Sequence, residues 1–446
     1  MKKKTILMLY GEQFRFIGTI GAHLEAFKAY SQHDVLQLDS IALSAIDLDL
    51  NGFDCIVLHY SLIVSQPRHI KEDVRQELRE YKGPKLLFIQ DEMRWVDATS
   101  AAIRDLDITT VFTVVNKDVI RKIYRDPWMN KVRFEQTLTG FVPEDLTKIA
   151  VPTYQDRRID VSYRARRLPG WCGAFGQEKW IIGARFADEA VDFGLKCDIS
   201  TTERDRIYGE KWVEFVANSK ATLGTESGSS FIDFSGNVAP AVDAFEAAHP
   251  KASFDEVRDG FLEGRDGEIV IHVISPRCFE AAALRTLMIM YEGEYSGALT
   301  ANRHYVALKR DHSNMEDVVA VLRDPKRAGR IINQAYEEVA CSGAWTFAAF
   351  IRHFDNVVSE ECAKNSQVPN VVLERDEAVA LELRSKELAA VRIRWTQIAM
   401  KLQTLEGKAL RLIEDMLPGF VGRPILHIEQ QIMTWLKSQL RRILLD

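Results

Sequence analysis

One carboxylate in the stretch from His272 to Gly297 has neighbours of the kind that build a small-molecule site. Glu280 falls inside a predicted helix that opens at Ser275-Pro276, where serine can cap free N–H groups and proline loses no hydrogen bond. The apolar run LMIMY follows as a predicted strand buried on both faces, and the Gly-containing loop EGEYSG comes after it. Helix, buried strand and polar loop predict half of an α/β nucleotide site.

A basic cluster follows another strand-like run, IDVSYRA. Its members are Arg164, Arg166 and Arg167, with Lys179 on the next predicted helix. Arginine forks onto phosphate oxygens and lysine adds a point charge, so this set suits a diphosphate. A solvated basic turn is the alternative, and the residues alone leave both open.

Polar residues also end several strand-like runs in the first half of the chain. His59 ends the third run, Asp91 and Glu92 end the fourth, and the loop after the first run leads into a helix with His23. Because ligands lie beyond the carboxyl ends of parallel strands, these four are candidate catalytic acid–base groups. Each could instead be a cap, a salt bridge or part of a solvated turn. No G-x-G-x-x-G follows the first strand, so a dinucleotide cofactor is not indicated.

The elements that must position these residues alternate as in an α/β protein. Strand-like runs at 5–10, 34–38, 54–60, 85–90 and 110–115 are separated by helix-length segments, which predicts a parallel sheet with helices on both faces. A second alternating unit begins at IDVSYRA. Because 446 residues are too many for one core, we predict two α/β domains at 1–150 and 151–362 and a helical extension at 363–446.

The amino-acid composition indicates which binding partners and which cell compartment to expect. A net charge of −6 gives no reason to expect nucleic acid as a partner. The six cysteines are far apart, without metal-ligand spacing, as is typical of reduced thiols in a cytoplasmic protein. No apolar stretch approaches the roughly 20 residues of a membrane span, so any membrane contact should be peripheral. The start MKKKTILMLY is better explained as a first strand than as a signal peptide.

Longer phrases resemble glycosyltransferases of the GT-B fold, the kind found in bacterial surface-polysaccharide pathways. The resemblance spans roughly residues 1–360 and is carried by HLEAFKAYSQHDV, FDCIVLHYSL, LLFIQDE, DVSYRARRLPGWCGAFGQEK, RIYGEKWVEFVANSKATLGTESGSS and SPRCFEAAALRTLMIMYEGEYSGALTANRHYVAL. It implies two Rossmann-like domains that face a cleft. It also implies a nucleotide-sugar as substrate, with no cofactor and no bound metal.

The resemblance further implies roles for single residues. A glutamate followed by alanines, here Glu280, holds the ribose hydroxyls of the donor, and the basic residues after IDVSYRA bind its diphosphate. The family's partner glutamate normally lies eight positions earlier, where this chain has His272. Glu226, in the loop ESGSS, is the suggested replacement if the segment from Asp233 to Gly267 is an insertion; His272 is the alternative. The EGEYSG loop would face the sugar with Glu294, Tyr295, Ser296 and Gly297.

The tail carries two amphipathic patterns. Apolar residues at spacings of three and four from Leu388 to Met416 are typical of a coiled coil, which would make the protein a homodimer. A helix folded back on its own domain is the alternative, given Gly407 inside the run. Residues 425–446 mix leucines and Trp435 with basic residues, as in helices that lie on a membrane surface, although packing onto the protein gives the same pattern.

The sequence therefore predicts a cytoplasmic, metal-independent glycosyltransferase, with peripheral contact to the inner face of the membrane left open. Its second domain would bind the nucleotide-sugar, and its first would present a glycan or lipid-linked acceptor for polysaccharide biosynthesis. Two rivals remain: a nucleotide-sugar epimerase of the same fold, and a non-catalytic glycan-binding or scaffold protein.

Overall fold

The first half of the chain forms a six-stranded parallel sheet in the computed structural model, which describes residues 2–364 and 375–416, with side chains as far as residue 398. Its strands are β1 (Thr5–Tyr10), β2 (Asp34–Asp39), β3 (Cys55–Leu58), β4 (Lys85–Ile89), β5 (Thr110–Thr113) and β6 (Arg133–Gln136). Its helices are α1 (Gly18–Tyr30), α2 (Glu72–Glu80), α3 (Val96–Asp105), α4 (Ile120–Ile123) and α5 (Glu144–Thr147). The strand order is β2-β1-β3-β4-β5-β6. The order of connection therefore reverses between β1 and β3, and such a switch point is where α/β sheets hold ligands.

The second half repeats this plan with a five-stranded parallel sheet. Its strands are β7 (Ile159–Arg164), β8 (Cys197–Ser200), β9 (Ser219–Gly224), β12 (Leu287–Tyr291) and β13 (Val306–Leu308), and an antiparallel pair lies beside it, β10 (Ser227–Ser229) and β11 (Ile271–Val273). Its helices are α6 (Gly173–Ala190), α7 (Glu210–Ala217), α8 (Val238–Ala248), α9 (Phe254–Phe261), α10 (Pro276–Ala283), α11 (Met315–Arg323) and α12 (Pro325–Ala335). The order β13-β12-β9-β7-β8 puts the switch point between β7 and β9.

Burial explains why apolar runs form the strands. In β1, Ile6 and Met8 pack on one face of the sheet while Leu7 and Leu9 pack on the other, and all four are fully buried. Helices on both faces thus cover the sheet, which favours runs without polar alternation. The five strands predicted in the first half are confirmed, and β6 is added to them. The predicted α/β fold class, with two parallel sheets and C-terminal helices, is confirmed.

The helix α13 (Phe347–Lys364) follows the second sheet in sequence but packs on the first domain. Its Phe354 lies edge-on against Phe27 of α1, with ring centroids 4.8 Å apart, and its Phe350 contacts Phe88 of β4 in the same way at 6.1 Å. The predicted limit at residue 362 assigns this helix to the second domain by sequence, whereas its aromatic face completes the first. The domain limits themselves stay a prediction.

The last described helix, α14 (Arg375–Met416), closes the free edge of the first sheet. The carboxylate of Glu382 accepts from the backbone N–H of Gln37 at 3.0 Å, and the hydroxyl of Ser385 accepts from that of Asp39 at 2.8 Å. These two donors belong to β2, the edge strand, so side chains of α14 take the place of a further strand.

The opposite face of α14 leaves large apolar side chains in solvent. Val391, Trp395 and Ile398 are 57%, 41% and 39% exposed. They belong to the predicted coiled-coil run, but side chains beyond 398 and the amphipathic segment 425–446 lie outside the described residues. The coiled coil and the membrane-surface helix stay predictions. None of the helices that the structure describes is both long and apolar enough to cross a membrane.

The predicted insertion between Asp233 and Gly267 contains α8 and α9, and the segment just before α8 joins the two domains. The backbone N–H of Asp233 donates to the carbonyl of Met93 at 2.8 Å, and that of Asp97 donates to the carbonyl of Phe234 at 3.0 Å. We call residues 231–236, with these two hydrogen bonds, the interdomain clasp. It holds the start of α3 against the second domain.

Candidate functional site

A pocket opens at the switch point of the second sheet, between the ends of β7 and β9 and the start of α10. Its polar lining includes Lys179, Thr225, Ser275 and Arg277, and its apolar lining includes Trp212 and Met290. The hydroxyl of Thr225 is buried and has no hydrogen-bond partner within the described residues. We call this the second-sheet pocket. An apolar pocket with a few convergent polar groups is the usual form of a ligand site.

Two cations face this pocket. Lys179 lies on α6, where its ammonium donates to the hydroxyl of Ser227 at 3.3 Å. Burial, together with the charges of Arg277 and Arg166, lowers the pKa of Lys179 to about 8. Arg277 lies in the first turn of α10, over the ring of Trp212 at 4.6 Å, and donates to the carbonyl of Arg164. Two cations that repel each other favour an anionic ligand, which would relieve the repulsion.

Glu280 adjoins the pocket through Trp212. The indole N–H of Trp212 donates to the Glu280 carboxylate at 2.7 Å, and burial raises the pKa of Glu280. The predicted helix start is confirmed at Pro276, but the predicted serine cap is wrong, because the Ser275 side chain makes no capping bond. Ser275 lines the pocket instead.

The two alternative partners of Glu280 contact each other. The Nδ1 atom of His272 lies 3.2 Å from an oxygen of Glu226, because β10 and β11 pair side by side. This hydrogen bond raises the pKa of His272. Burial raises the pKa of the Cys278 thiol to about 12, and the nearby charges of Glu280 and Glu226 add to the effect. Both carboxylates therefore lie near one side chain of α10, and the choice of partner stays open.

The EGEYSG loop lies over Glu226. The backbone N–H of Tyr295 donates to the Glu226 carboxylate at 2.7 Å, and a Cβ at Gly293 would lie 2.3 Å from one of its oxygens. The Tyr295 side chain is buried and donates to the carbonyl of Tyr291, while the Ser296 hydroxyl accepts from the N–H of Ile274. Glu294 is exposed, with a carboxylate oxygen 4.0 Å from Nε2 of His272, and Gly297 takes a positive φ of 75°. Among the four predicted loop residues, Glu294 therefore has the most exposed side chain.

The three predicted arginines occupy different surroundings. Arg164 donates to the Asp198 carboxylate at 2.7 Å and to the carbonyl of Asp205 at 3.0 Å, which fits a role in holding β7 to its neighbours rather than in binding a diphosphate. Arg167 is exposed and donates to the carbonyl of Ala252 in the insertion. Arg166 is exposed and close enough to Lys179 to lower its pKa. Of the three, Arg166 is the one whose charge acts on Lys179, whereas the side chains of Arg164 and Arg167 are bonded elsewhere.

Three of the four candidate acid–base groups are buried in the first domain. His23 and His59 share a hydrogen bond of 3.0 Å, and burial lowers the pKa of both, that of His23 to about 3. Glu92 accepts from the hydroxyls of Thr113 and Tyr124, and burial raises its pKa to about 7. Neutral or bonded groups inside a core are poorly placed to reach a substrate.

Asp91 is the exposed candidate, and it lines a second pocket. This first-sheet pocket lies beyond the ends of β3 and β4, with Asp91, Gln90, Arg94 and Thr99 as its polar groups and Tyr60, Leu62, Val64, Leu87 and Trp95 among its apolar ones. Burial raises the pKa of the Cys172 thiol at the start of α6 to about 12, and the charges of Arg94, Asp91 and Arg166 act on it from nearby. Asp91 and Arg94 therefore lie on the side of this pocket that is near the second domain.

Sequence reasoning missed Arg277, Trp212 and Arg94. Arg277 had a signal, since a basic residue in the first turn of a helix opposes the helix dipole and needs another reason to be there. Trp212 and Arg94 had none, because their importance comes from contacts with residues far away in sequence.

The pH dependence of ligand binding should report Lys179. Its ammonium is charged below a pKa of about 8 and loses the charge as the pH rises through that value. An anionic ligand binds the charged form, so affinity should fall above pH 8 by up to about tenfold per unit. Calorimetric titration of a nucleoside diphosphate between about pH 7 and 9.5 measures this. The Lys179→Arg variant stays charged and should give a flat profile; a fall of equal size in that variant would contradict the assignment.

No family model and no curated protein match this sequence. Similar solved structures include an alpha-glucosyltransferase in complex with UDP, 9% identical, covering 80% of this chain and 100% of that one at a TM-score of 0.47. A DNA-modifying beta-glucosyltransferase solved with and without uridine diphosphoglucose is 12% identical, with coverage of 80% and 99% and a TM-score of 0.46. A T4 phage enzyme in complex with UDP and Mn²⁺ is 11% identical, with the same coverages and a TM-score of 0.43. The first two are glucosyltransferases by name, and at TM-scores below 0.5 these likenesses assign no role to any residue of this chain.

Among the residues that the structure describes, no group of three or more His, Cys, Asp or Glu side chains is placed to hold a metal ion. The predicted metal independence stays a prediction.

Proposed function

We propose that this protein is a glycosyltransferase that binds a nucleotide-sugar in the second-sheet pocket and transfers the sugar to an acceptor in the first-sheet pocket. One observation carries the proposal: Lys179 and Arg277 line the same pocket, and the Glu280 carboxylate adjoins it, at the switch point of the second sheet. Cations suit a diphosphate, and a carboxylate suits the paired hydroxyls of a ribose. One nucleotide-sugar presents both groups.

The two cations would also accelerate the chemical step. Breaking the bond between sugar and diphosphate leaves negative charge on the diphosphate, which Arg277 and Lys179 would stabilise as it develops. In this proposal they take the part that a divalent cation plays elsewhere, so the enzyme needs no metal and no cofactor. Asp91 would accept the proton of the acceptor hydroxyl if the reaction inverts the anomeric centre.

A nucleotide-sugar screen tests the proposal. A ligand that binds only the folded state raises the melting temperature of the protein. Nucleoside diphosphates and nucleotide-sugars should therefore raise the melting temperature of the wild-type protein. They should not raise that of the Lys179→Ala, Arg277→Ala double variant. The stabilising donor should then lose its sugar only when an acceptor is added. Conversion of the donor alone into another nucleotide-sugar would support the epimerase instead, and absence of any stabilisation would contradict a donor site.

The finer assignments are also proposals. A glycan or lipid-linked acceptor in polysaccharide biosynthesis, without nucleic acid as partner, follows from the sequence resemblance and the net charge of −6. The homodimer is supported by the exposed apolar face of α14, and light scattering of the full chain tests it. A cytoplasmic protein with peripheral membrane contact is tested by sedimentation with anionic vesicles.

A further inference from the structure

Arg94 lies at the cleft, where its guanidinium contacts aromatic rings of both domains. Its guanidinium lies 4.2 Å from the ring centre of Trp95 and 5.3 Å from that of Trp171, which belongs to the second domain. Among the described residues, no acceptor is hydrogen-bonded or ion-paired with its side chain. A guanidinium stacked on aromatic rings keeps its N–H edge available, and that edge matches phosphate oxygens in a bidentate way.

Both domains hold this arrangement in place. Trp95 has a left-handed backbone with φ of 56°, a conformation that non-glycine residues adopt only where their surroundings impose it. Gly236 of the interdomain clasp lies against it, since a Cβ there would be 1.9 Å from Cδ1 of Trp95. The clasp therefore fixes Trp95, and Trp95 fixes the guanidinium of Arg94. Such preorganisation is what a binding group needs.

The rest of the first-sheet pocket suits a ring with hydroxyl groups. Tyr60 and Trp95 supply aromatic lining, Leu62 and Val64 supply apolar lining, and Gln90 and Thr99 add hydrogen-bonding groups. Asp91, next to these, is the group proposed to accept a hydroxyl proton. A ligand that uses every one of these groups has a ring, a free hydroxyl and an anionic substituent.

We infer that the acceptor carries a phosphate, which Arg94 binds in the first-sheet pocket while Asp91 faces the acceptor hydroxyl. This inference rests on the proposed function, because it specifies the acceptor of that reaction. The phosphate can belong to a water-soluble sugar phosphate or to the head group of a lipid-linked acceptor. Both sources present the same group to Arg94.

The test measures phosphate binding without a donor. The parent is a Lys179→Ala, Arg277→Ala protein, in which the second-sheet pocket has lost its two cations. Calorimetry compares the affinities for glucose 1-phosphate, farnesyl phosphate and the neutral methyl glucoside. Each phosphate should bind at least about ten times more tightly than methyl glucoside, because charge-assisted hydrogen bonds to the phosphate add to the affinity. Adding Arg94→Gln should remove that difference, and Arg94→Lys should keep part of it.

Arg125 provides a matched control. Its guanidinium also crosses the domain boundary, over the ring of Phe234 at 3.6 Å, but it lines neither pocket. Arg125→Gln should therefore leave phosphate binding unchanged, and melting temperatures show whether each variant is folded. If farnesyl phosphate binds more tightly than glucose 1-phosphate, and Arg94→Gln removes that binding, the inference is supported with a lipid as the source of the phosphate.

Two results would overturn the inference: equal affinity for glucose 1-phosphate and methyl glucoside, or phosphate binding that survives Arg94→Gln. The wild-type protein separates this failure from failure of the proposed function. If it transfers sugar from a nucleotide donor while Arg94 has no effect on phosphate binding, only the nature of the acceptor is wrong. If phosphate binding depends on Arg94 but no nucleotide-sugar binds, the anion site stands and the glycosyltransferase does not.

Discussion

Arg277→Ala should lower the turnover number for sugar transfer by about 10²- to 10³-fold, the loss typical when one preorganised charge-stabilising group is removed. Arg277 is held in place by Trp212 and by the carbonyl of Arg164, so its charge is fixed before the diphosphate leaves. Because the leaving group gains charge in the transition state, turnover should fall more than donor affinity. Steady-state rates and calorimetric affinities separate the two quantities.

A neighbouring arginine supplies the control for this prediction. Arg285, just after α10, stacks on the ring of Tyr336 at 4.0 Å and lies outside the second-sheet pocket. Arg285→Ala should change stability at most, and Arg277→Lys should recover part of the lost rate because it restores the charge. Unchanged turnover in Arg277→Ala would remove this residue from the reaction.

Glu280→Gln should weaken donor binding by about 10- to 100-fold, because each charge-assisted hydrogen bond to a ribose hydroxyl contributes roughly 1.5 to 3 kcal/mol before losses to water. The amide oxygen can still accept from Trp212, so the fold should be kept. Calorimetric titration with the donor measures the effect. Glu178→Gln is the matched control, since Glu178 pairs with Arg310 away from the pocket lining.

The same assay identifies the partner of Glu280. Of Glu226→Gln and His272→Gln, the true partner should reproduce the loss. Donor binding should also weaken in acid, since burial raises the pKa of Glu280 and its charge is lost as the pH falls through that raised value. Glu280→Gln should be insensitive to pH in this range. Normal donor affinity in Glu280→Gln would place the ribose elsewhere.

The sequence was sufficient to predict the elements that carry the site. Strands buried on both faces are continuous apolar runs, so β3, β4 and β12 could be located without any structure. Residues at strand ends could then be named as candidates, because parallel strands place their carboxyl ends on one side. The strand β6 was missed since its residues, RFEQ, are half-buried at the sheet edge and lack an apolar run.

Side-chain roles were harder to predict, because they depend on partners distant in sequence. Arg164 and Arg277 are both basic residues near a strand end or helix start, yet Asp198 engages Arg164 while Arg277 faces a pocket. His23 follows a strand-end loop, but aromatic side chains that include Phe350 of α13, more than 300 residues later, enclose it. Residue type and local pattern carry no information about such pairings.

The interdomain clasp would slow the opening of the cleft between the two domains. Separating the domains would break two backbone hydrogen bonds and lift Gly236 from Trp95, so every opening of the cleft carries an energetic barrier. Chemistry inside a closed cleft is protected from water, but a nucleoside diphosphate trapped there must wait for the next opening. For the proposed reaction, the rate at which these contacts break would then set an upper limit on the turnover number.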